Sequence, residues 1–326
     1  KNKPKTEAEI SEEDKQLQEE LDLCVSRTSD SNVEIRFNAL TILKERIRTS
    51  TSSLTSVPKP LKMLRKHWQT LVDSFDKYKD DANYIGHAGW FLHAEVLSCL
   101  GMTIEDDDAK FCLKYRLIAE TFSGIRPAIQ ASTINLEEMT DEIKANISKS
   151  EARDKACKGL GSWGNEYVKR LAYDIINEWN DVADNESMAE SSKANKRLAL
   201  NNLVAEVVPF FMAFNSETDA CDLLMEVEQI ESMLDYTNSD NVARVCLYLT
   251  SCEPYVAEGD NVKLLRTVLS IRKKLEQWVE ALYIALRLND NEEIEEIFLS
   301  CKNLAIQKQM SFILGRQHVF LPLTDM

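Results

Sequence analysis

The chain of 326 residues is 44% hydrophobic, has a formal net charge of −15, and contains few glycines (9) and prolines (7). This length allows one large domain or two ordinary ones, and the shortage of turn residues excludes most turn-rich β folds. The acidic balance argues against a general nucleic-acid-binding protein, because phosphate contacts need a basic surface. We therefore predict no nucleic-acid partner.

The eight cysteines are dispersed and form no C-x-x-C pair and no zinc-type Cys/His spacing, which is typical of reduced core residues. The longest apolar run, residues 207–214, is far too short to span a membrane. The N-terminal residues contain no hydrophobic signal segment, and the absent initiator Met suggests a piece of a longer chain. We expect a soluble protein of the cytoplasm and nucleus, without a membrane partner or a cofactor.

The N-terminal region, residues 1–120, is predicted to be helical. Residues 6–26 favour an acidic helix with a narrow apolar stripe, and Asp30 is a suitable N-cap for the amphipathic segment that begins at Val33. The pattern D-x-N-x-x-I-R-x-x-A-L in this segment resembles one helix of a HEAT-type repeat. Residues 1–120 are therefore predicted to be a HEAT-like helical region.

Two stretches of opposite charge lie in this region. Residues 7–22 carry eight acidic residues and one lysine, a local charge of −7, whereas residues 36–66 carry eight Lys or Arg and one acid, a local charge of +7. Such stretches often neutralise each other as neighbours, and the alternative is a docking face for an acidic partner. We predict that the basic stretch is a protein-interaction site, with the candidate residues Lys59, Lys62, Arg65 and Lys66.

Residues 121–158 are rich in Ser, Thr, Glu and Lys and have weak apolar spacing, which predicts a mobile polar insertion. Residues 159–326 are predicted to be a helical-repeat region. It begins with an amphipathic helix after Gly159 and is interrupted by a polar linker at 185–197.

The end of the chain is predicted to consist of consecutive helices joined by short Asn, Asp, Gly or Pro breaks. Helical apolar spacing marks the segments 219–235, 240–252, 261–275, 278–289, 291–301 and 303–315. Short loops favour antiparallel helix pairs, and stacked pairs form an α-solenoid. No stretch alternates with period 2, so the predicted fold is all-α: an elongated α-solenoid of antiparallel helix pairs of the HEAT or TPR type.

The candidate chemical motifs are weak. Gly159, Gly161 and Gly164 form a G-x-G-x-x-G pattern, but no predicted strand precedes it, so we interpret it as a tight loop. His87, His93 and Glu95 offer three possible metal ligands, but the two histidines are six residues apart, whereas histidine ligands on a helix need a spacing of three or four. No nucleophile has a recognisable partner pattern, although spacing alone cannot reveal a triad assembled in space. We predict no catalytic, cofactor-binding or metal site, and no enzymatic activity.

Longer blocks carry a specific resemblance. They include RIRTSTSSLTSVPKPLKML at 46–64, CLKYRL at 112–117, SWGNEYVKRLA at 162–172, EVVPFFMAFNSETDACDLLMEVEQIE at 206–231, VCLYLTSC at 245–252, EALYIALRLND at 280–290 and IFLSCKNLAIQKQMSFILGRQHVFL at 297–321. In this order they resemble the N-terminal region of the family of the largest non-ATPase subunit in the base of the 26S proteasome regulatory particle. The family connection between the second and third blocks is expected to be much shorter than residues 118–161.

The resemblance implies a non-catalytic scaffold subunit that supports ATP-dependent degradation of ubiquitinated proteins. It implies contacts with the proteasome ATPase ring and with other regulatory-particle subunits. In that family a later toroid of repeats receives ubiquitin, shuttle factors with ubiquitin-like domains and a deubiquitinase, and this chain is expected to end before those repeats. Two alternatives remain: an unrelated HEAT-like adaptor in transport or trafficking, and an enzyme with a concave site of perturbed ionisable groups.

Overall fold

A computed structural model describes residues 12–50, 58–78, 88–104, 106, 109–123 and 159–321. Within these ranges every regular element is an α-helix or a short 3-10 turn, which confirms the predicted all-α class. None of the described helices is both long enough and apolar enough to cross a membrane. Contacts along the backbone divide the chain into two compact units, unit 1 with residues 1–210 and unit 2 with residues 211–326.

Unit 1 is built from helices of very different lengths. In chain order they are α1 (Glu12–Arg27), α2 (Val33–Thr49), α3 (Lys59–Leu64), α4 (Trp68–Lys77), α5 (Ala88–Gly101), α6 (Phe111–Ser123), α7 (Asn165–Asp184) and α8 (Glu190–Ala213), whose last turn belongs to unit 2. α1 packs against α2 and α3, α5 packs against α2, α4 and α6, and α7 packs against α6. The apolar α5 is therefore the central helix of this unit.

The start of α2 shows how a local sequence sets a helix boundary. Asn32, not the predicted Asp30, is the N-cap, because its side-chain Oδ1 accepts from the backbone N–H of Glu34 at 2.9 Å. The Asp30 carboxylate instead accepts from the N–H of Asn32 at 2.8 Å, in a turn that precedes the helix. The buried face of α2 follows with Ala39, Leu40, Leu43 and Ile47 at helical spacing.

Two glycines are required by close packing and backbone conformation in unit 1. A Cβ atom on Gly101, at the end of α5, would lie 2.8 Å from the Cβ of Phe111 at the start of α6, so only glycine allows this approach of the two helices. Gly164 has a φ of 95° and connects the 3-10 turn Leu160–Trp163 to α7. The G-x-G-x-x-G pattern thus ends in a turn that buries Trp163 and begins a helix.

α8 begins earlier than the sequence predicted. Residues 190–197 were expected in a polar linker, yet they form the first two turns of this helix. Their polar side chains contact α7: Lys196 Nζ lies 3.0 Å from Glu178 Oε1, and the Arg197 guanidinium lies 5.1 Å from the ring centre of Trp179. The linker prediction is wrong for these residues. They lack an apolar stripe, and contacts of their charged side chains with α7 stabilise the helix instead.

Unit 2 repeats short helices joined by short connections. They are α9 (Glu217–Glu226), α10 (Met233–Tyr236), α11 (Val242–Cys252), α12 (Asp260–Lys274), α13 (Trp278–Leu288), α14 (Asn291–Ser300) and α15 (Leu304–Arg316). α12 packs against both α11 and α13, α13 packs against α14 and α15, and α9 packs against α11. This alternation is consistent with the predicted solenoid of helix pairs.

The connection between α13 and α14 explains the tight pairing. Asn289 has φ 54° and ψ 39°, the left-handed conformation that ends a helix. The next residue, Asp290, caps α14, because its Oδ1 accepts from the N–H of Glu293 at 3.3 Å. Two residues thus end one helix and start the next, which forces the pair to fold back on itself.

The core of unit 2 is apolar. One continuous cluster contains Leu269, Ala281, Leu282, Ala285, Ile294, Ile297, Cys301, Met310 and Leu314, all of them buried. These residues come from α12 to α15, and each contributes roughly 1–3 kcal/mol by removing apolar surface from water.

The domain boundaries remain predictions. The HEAT-like region 1–120 and the repeat region 159–326 both contain helices, but backbone contacts place the only division at 210/211. The predicted insertion, 121–158, lies outside the described residues except for 121–123, which form the last turn of α6.

Candidate interaction surface

Ion pairs connect the acidic helix α1 to the basic stretch that follows it. Lys59 Nζ lies 3.2 Å from Asp14 Oδ1, and Arg46 Nη2 lies 2.9 Å from Glu20 Oε1. Both pairs retain exposure to solvent, so each contributes only about 0–1 kcal/mol. Together they make the two stretches of opposite charge neighbours in the fold.

Asp22 is the centre of a denser contact on the same helix. Its Oδ1 lies 2.6 Å from His67 Nε2 and 3.2 Å from Lys66 Nζ, and it accepts from Gln18 Nε2 at 2.6 Å. Burial raises the pKa of Asp22, but the hydrogen bonds from His67, Lys66 and Gln18 outweigh it and hold this pKa below its ordinary value. The Asp22 carboxylate therefore stays ionised at neutral pH and stabilises the contact between α1 and the 3-10 turn Arg65–His67.

The four predicted interaction residues lie close together along α3 and the turn after it. Lys59 and Lys66 contact carboxylates of α1, and the side chains of Lys62 and Arg65 are exposed. That a partner protein binds these four residues stays a prediction. The contacts with α1 favour the intramolecular role for Lys59 and Lys66.

Arg36, the first residue of the basic stretch, is part of the core and not of a surface. Its side chain is fully buried, its Nη1 donates to the carbonyl of Asp30 at 2.7 Å, and its guanidinium lies 3.8 Å from the ring centre of Tyr78. Its side chain stabilises the loop before α2, and its charge is not accessible to a partner protein.

A second charged cluster lies inside unit 1. Glu95 on α5 places Oε2 2.6 Å from Lys44 Nζ on α2 and Oε1 3.7 Å from Arg116 Nη1 on α6. The Nη2 of Arg116 lies 3.7 Å from Glu206 Oε2 on α8. Because the side chains of Glu95 and Arg116 are buried, removing either partner leaves a charge with poor solvation. This cluster ties together four helices.

His93 is a core residue. It is fully buried on α5, and its Nε2 lies 3.1 Å from the carbonyl oxygen of Leu71. Burial lowers its pKa to about 3, so the imidazole is neutral and donates this hydrogen bond. His87 lies outside the described residues, and within them no group of three or more His, Cys, Asp or Glu side chains is placed to hold a metal ion.

A buried hydrogen-bonded cluster joins α5, α6 and α7. Ser98 Oγ donates to the carbonyl of Cys112 at 2.6 Å and lies 2.7 Å from Tyr167 Oη, while the Asp174 Oδ2 accepts from the N–H of Leu113 at 3.3 Å. Burial raises the pKa of Asp174 and of Cys112. A catalytic thiol needs a lowered pKa and access to substrate, whereas Cys112 is 1% exposed. The perturbed groups of this cluster therefore stabilise helix packing.

Sequence reasoning missed Glu95 and Arg116 as a cluster. The available signal was a His and a Glu within two residues of each other in the otherwise apolar segment Ala88–Gly101. Charged residues in such a segment are paired when they are buried.

Comparison with known proteins assigns the family. The family profile described as "RPN1 N-terminal domain" matches residues 21–126 and 131–326. The matched ranges leave out residues 127–130 of the stretch 121–158. That the family connection is much shorter than residues 118–161 stays a prediction.

Named relatives agree with the profile. The chain is 38% identical to the 26S proteasome non-ATPase regulatory subunit 2 of Dictyostelium discoideum over 314 residues, 96% of the chain and 30% of that relative. It is 35% identical to the 26S proteasome regulatory subunit rpn1 of Schizosaccharomyces pombe over 317 residues, 97% of the chain and 30% of the relative. Homolog A of regulatory subunit 2 in Arabidopsis thaliana is 32% identical over 314 residues, 96% of the chain and 30% of the relative.

The chain thus spans about 30% of the length of the relatives it matches. The match extends over nearly all of the chain, in the order of the blocks that carried the resemblance, and covers α1 from Leu21 through α15. The chain belongs to the family of RPN1 N-terminal domains.

Proposed function

We propose that this chain is the N-terminal part of a non-catalytic scaffold subunit in the base of the 26S proteasome regulatory particle. The observation that carries the proposal is the match over nearly the whole chain to relatives named as 26S proteasome regulatory subunits. The all-helical architecture of stacked pairs supports it, because such repeats present extended surfaces to several partners.

The chemistry of the described residues fits a role without catalysis. Burial shifts the pKa values of His93, Cys112 and Asp174, and all three side chains are buried in helix packing. An enzyme places perturbed groups where a substrate reaches them. The alternative of an unrelated HEAT-like adaptor in transport is not favoured, since the relatives carry proteasome names.

The proposed partners follow from the assembly. They are the ATPase-ring subunits and other subunits of the regulatory particle, with ubiquitin, shuttle factors and a deubiquitinase binding to a toroid later in the full-length protein. The proposed location is the cytoplasm and nucleus.

The test is co-purification of the full-length protein in its native source. An affinity tag on a proteasome ATPase is used to isolate regulatory particles, and peptides of residues 12–321 are quantified against peptides of the ATPase. We expect one copy per particle, retained when ATP is present. Absence from the particles, or recovery with vesicle-coat fractions instead, contradicts the proposal.

A further inference from the structure

Three lysines line one face of α3 and of the 3-10 turn after it. Lys59, Lys62 and Lys66 follow one another at spacings of three and four residues, which places side chains on one face of a helix. Leu61 and Leu64 of the same helix are buried on the opposite side and fix its orientation. The three lysines are here called the lysine stripe.

The acidic helix α1 already occupies both ends of the lysine stripe. Asp14 Oδ1 lies 3.2 Å from Lys59 Nζ, and Asp22 Oδ1 lies 3.2 Å from Lys66 Nζ. The two carboxylates are eight residues apart and the two lysines are seven apart, which correspond to similar lengths of about 12 and 10.5 Å along a helix. α1 and the lysine stripe therefore run side by side in the same direction, and an acidic helix is the ligand that the stripe binds within this chain.

The middle lysine of the stripe has no carboxylate opposite it. Midway between Asp14 and Asp22, α1 carries Gln18, whose Nε2 donates to Asp22 Oδ1 at 2.6 Å. Lys62 is exposed, and no acidic side chain among the described residues forms an ion pair with it. The lysine stripe can therefore bind more acidic groups than α1 supplies.

The first half of α1, residues 12–20, is attached by surface contacts. The buried residues of this helix all lie in its second half and are Leu21, Cys24 and Val25. In the first half Asp14 pairs with Lys59 and Glu20 pairs with Arg46, and both pairs retain exposure to solvent. Exposed ion pairs contribute little to stability, and segments with few buried apolar contacts open before the rest of a fold. Residues 12–20 can thus separate from the surface while the second half of α1 stays anchored.

We propose that residues 12–20 are a displaceable internal ligand, and that an acidic helix of a partner protein takes their place on Lys59 and Lys62. Separation of this segment makes Lys59 and Arg46 accessible beside the exposed Lys62, while the second half of α1 keeps its contact with Lys66. The partner helix gains an ion pair with Lys62 that α1 does not make, and charge complementarity sets its orientation. α1 thereby excludes ligands that are less acidic than itself.

The test measures hydrogen exchange of the full-length protein with and without a helix-stabilised acidic peptide. The peptide of 14 residues carries glutamates at positions 4, 7, 8 and 11, on one face of a helix, and a control peptide has lysine at these positions. At saturation the amides of residues 12–20 should exchange about fivefold faster or more, because a helical segment without tertiary contacts is marginal in water. Residues 21–27 should keep their rate, and the control peptide should change neither rate. Binding of the acidic peptide without faster exchange of residues 12–20, or no saturable binding, overturns the proposal.

Variants of α1 test the displacement. Asp14→Asn combined with Glu20→Gln removes the ion pairs of residues 12–20 with Lys59 and Arg46, so the affinity for the acidic peptide should rise about threefold or more. The matched control, Glu13→Gln combined with Glu19→Gln, removes the same charge from exposed positions of the same half of α1. It should change the affinity by less than about twofold. Equal effects of the two variants would show that net charge, and not release of α1, controls binding, and would contradict the proposal.

Lys62→Gln tests the contact with the partner helix. Because Lys62 forms no ion pair with α1, this variant should leave the exchange rate of residues 12–20 unchanged and lower the affinity for the acidic peptide about threefold or more. Lys302→Gln is the matched control, because it removes one lysine from an exposed position in unit 2. Circular dichroism verifies that each variant keeps its helical signal. If the two variants bind the peptide equally well, the lysine stripe is not the site and the proposal is wrong. Co-purification with the proteasome is independent of this result.

Discussion

The two units are stabilised by different kinds of core. Unit 1 buries Arg36, His93, Glu95, Arg116 and Asp174, and each finds hydrogen bonds or an opposite charge inside the fold. The continuous cluster of unit 2 is made of apolar side chains. Within its described residues Glu217 is the one buried charged group, paired with Arg244. The stability of unit 1 therefore depends on which of its buried groups are ionised, whereas the stability of unit 2 depends mainly on the close packing of apolar side chains.

This difference predicts different vulnerabilities. Buried charges that lose a partner are costly, and groups with shifted pKa values make stability depend on pH. Apolar packing is sensitive to volume instead. Removal of a buried charge and a change of pH should therefore affect mainly unit 1, whereas a smaller apolar side chain in the core should affect mainly unit 2.

The largest effect is expected for Glu95→Gln in unit 1. The neutral amide leaves Lys44 and the buried Arg116 without the carboxylate between them, and breaking a buried pair costs about 3–5 kcal/mol. At about 2–4 °C per kcal/mol, the melting temperature of this unit should fall by roughly 6–20 °C. Thermal unfolding, monitored by hydrogen exchange of the backbone amides of α5, measures this fall in melting temperature.

The control is Glu296→Gln in unit 2. The Glu296 side chain is 59% exposed and lies 2.8 Å from Lys273 Nζ, so its loss should cost no more than about 1 kcal/mol. Equal losses in the two variants would show that the Glu95 cluster is not a distinctive feature of unit 1.

Leu282→Ala should be the corresponding weak point of unit 2. Leu282 is fully buried in the apolar cluster, and truncation of such a residue costs about 2–5 kcal/mol. Its neighbour Tyr283 is 54% exposed, so Tyr283→Ala should change the free energy of unfolding by only about 0.5 kcal/mol. Chemical denaturation measures the free energy of unfolding of both variants. Similar losses of stability in the two would contradict the assignment of the buried and exposed faces of α13.

Acid should destabilise unit 1 through His93. Its pKa is about 3 in the folded chain and about 6.5 in the unfolded chain, so the unfolded state binds a proton first as the pH falls. The stabilisation is complete above pH 6.5, and about 2 kcal/mol is lost between pH 6.5 and pH 5, with further loss down to pH 3. Hydrogen exchange of α5 at several pH values measures this loss.

His93→Gln serves as the reference for that measurement. Its amide still donates to the carbonyl of Leu71 but does not titrate, so the variant should lose less stability between pH 6.5 and pH 5 than the original chain. An unchanged slope would mean that His93 is not the group responsible.

The smallest effect is expected at the basic stretch. Reversal of Lys59, Lys62, Arg65 and Lys66 to Glu removes the ion pairs with Asp14 and Asp22 and adds repulsion against α1. A loss of about 1–2 kcal/mol at low salt, shrinking in about 1 M salt, fits an intramolecular role. Single reversal of the exposed Lys62 is the control and should be nearly silent.

The same quadruple variant tests the partner role. If stability is retained but incorporation of the full-length protein into regulatory particles falls, the stretch binds a neighbouring subunit. Wild-type behaviour in both measurements would identify these four residues as a solvated face.

Apolar periodicity predicted the helices with a clear buried face. It identified α7 through Tyr167, Val168, Leu171, Ile175 and Trp179, and the bounds of α11 to α15 differ from the predicted segments by at most two residues. Short connections such as Asn289-Asp290 use local turn and capping chemistry, which a sequence reveals directly.

Features that depend on distant residues were not predictable in this way. Glu95 and Lys44 are 51 residues apart, and neither residue shows by itself that it has a partner. The first turns of α8 are polar and read as a linker, because the groups that they contact, Glu178 and Trp179, belong to another helix.

The most direct test of the proposed function is depletion of the full-length protein followed by native electrophoresis with a peptidase overlay. A scaffold of the regulatory-particle base is required for assembly, so the account predicts loss of the 26S band and accumulation of free core particle. Restoring the wild-type protein should bring the 26S band back. An undiminished 26S band after complete depletion would contradict the account.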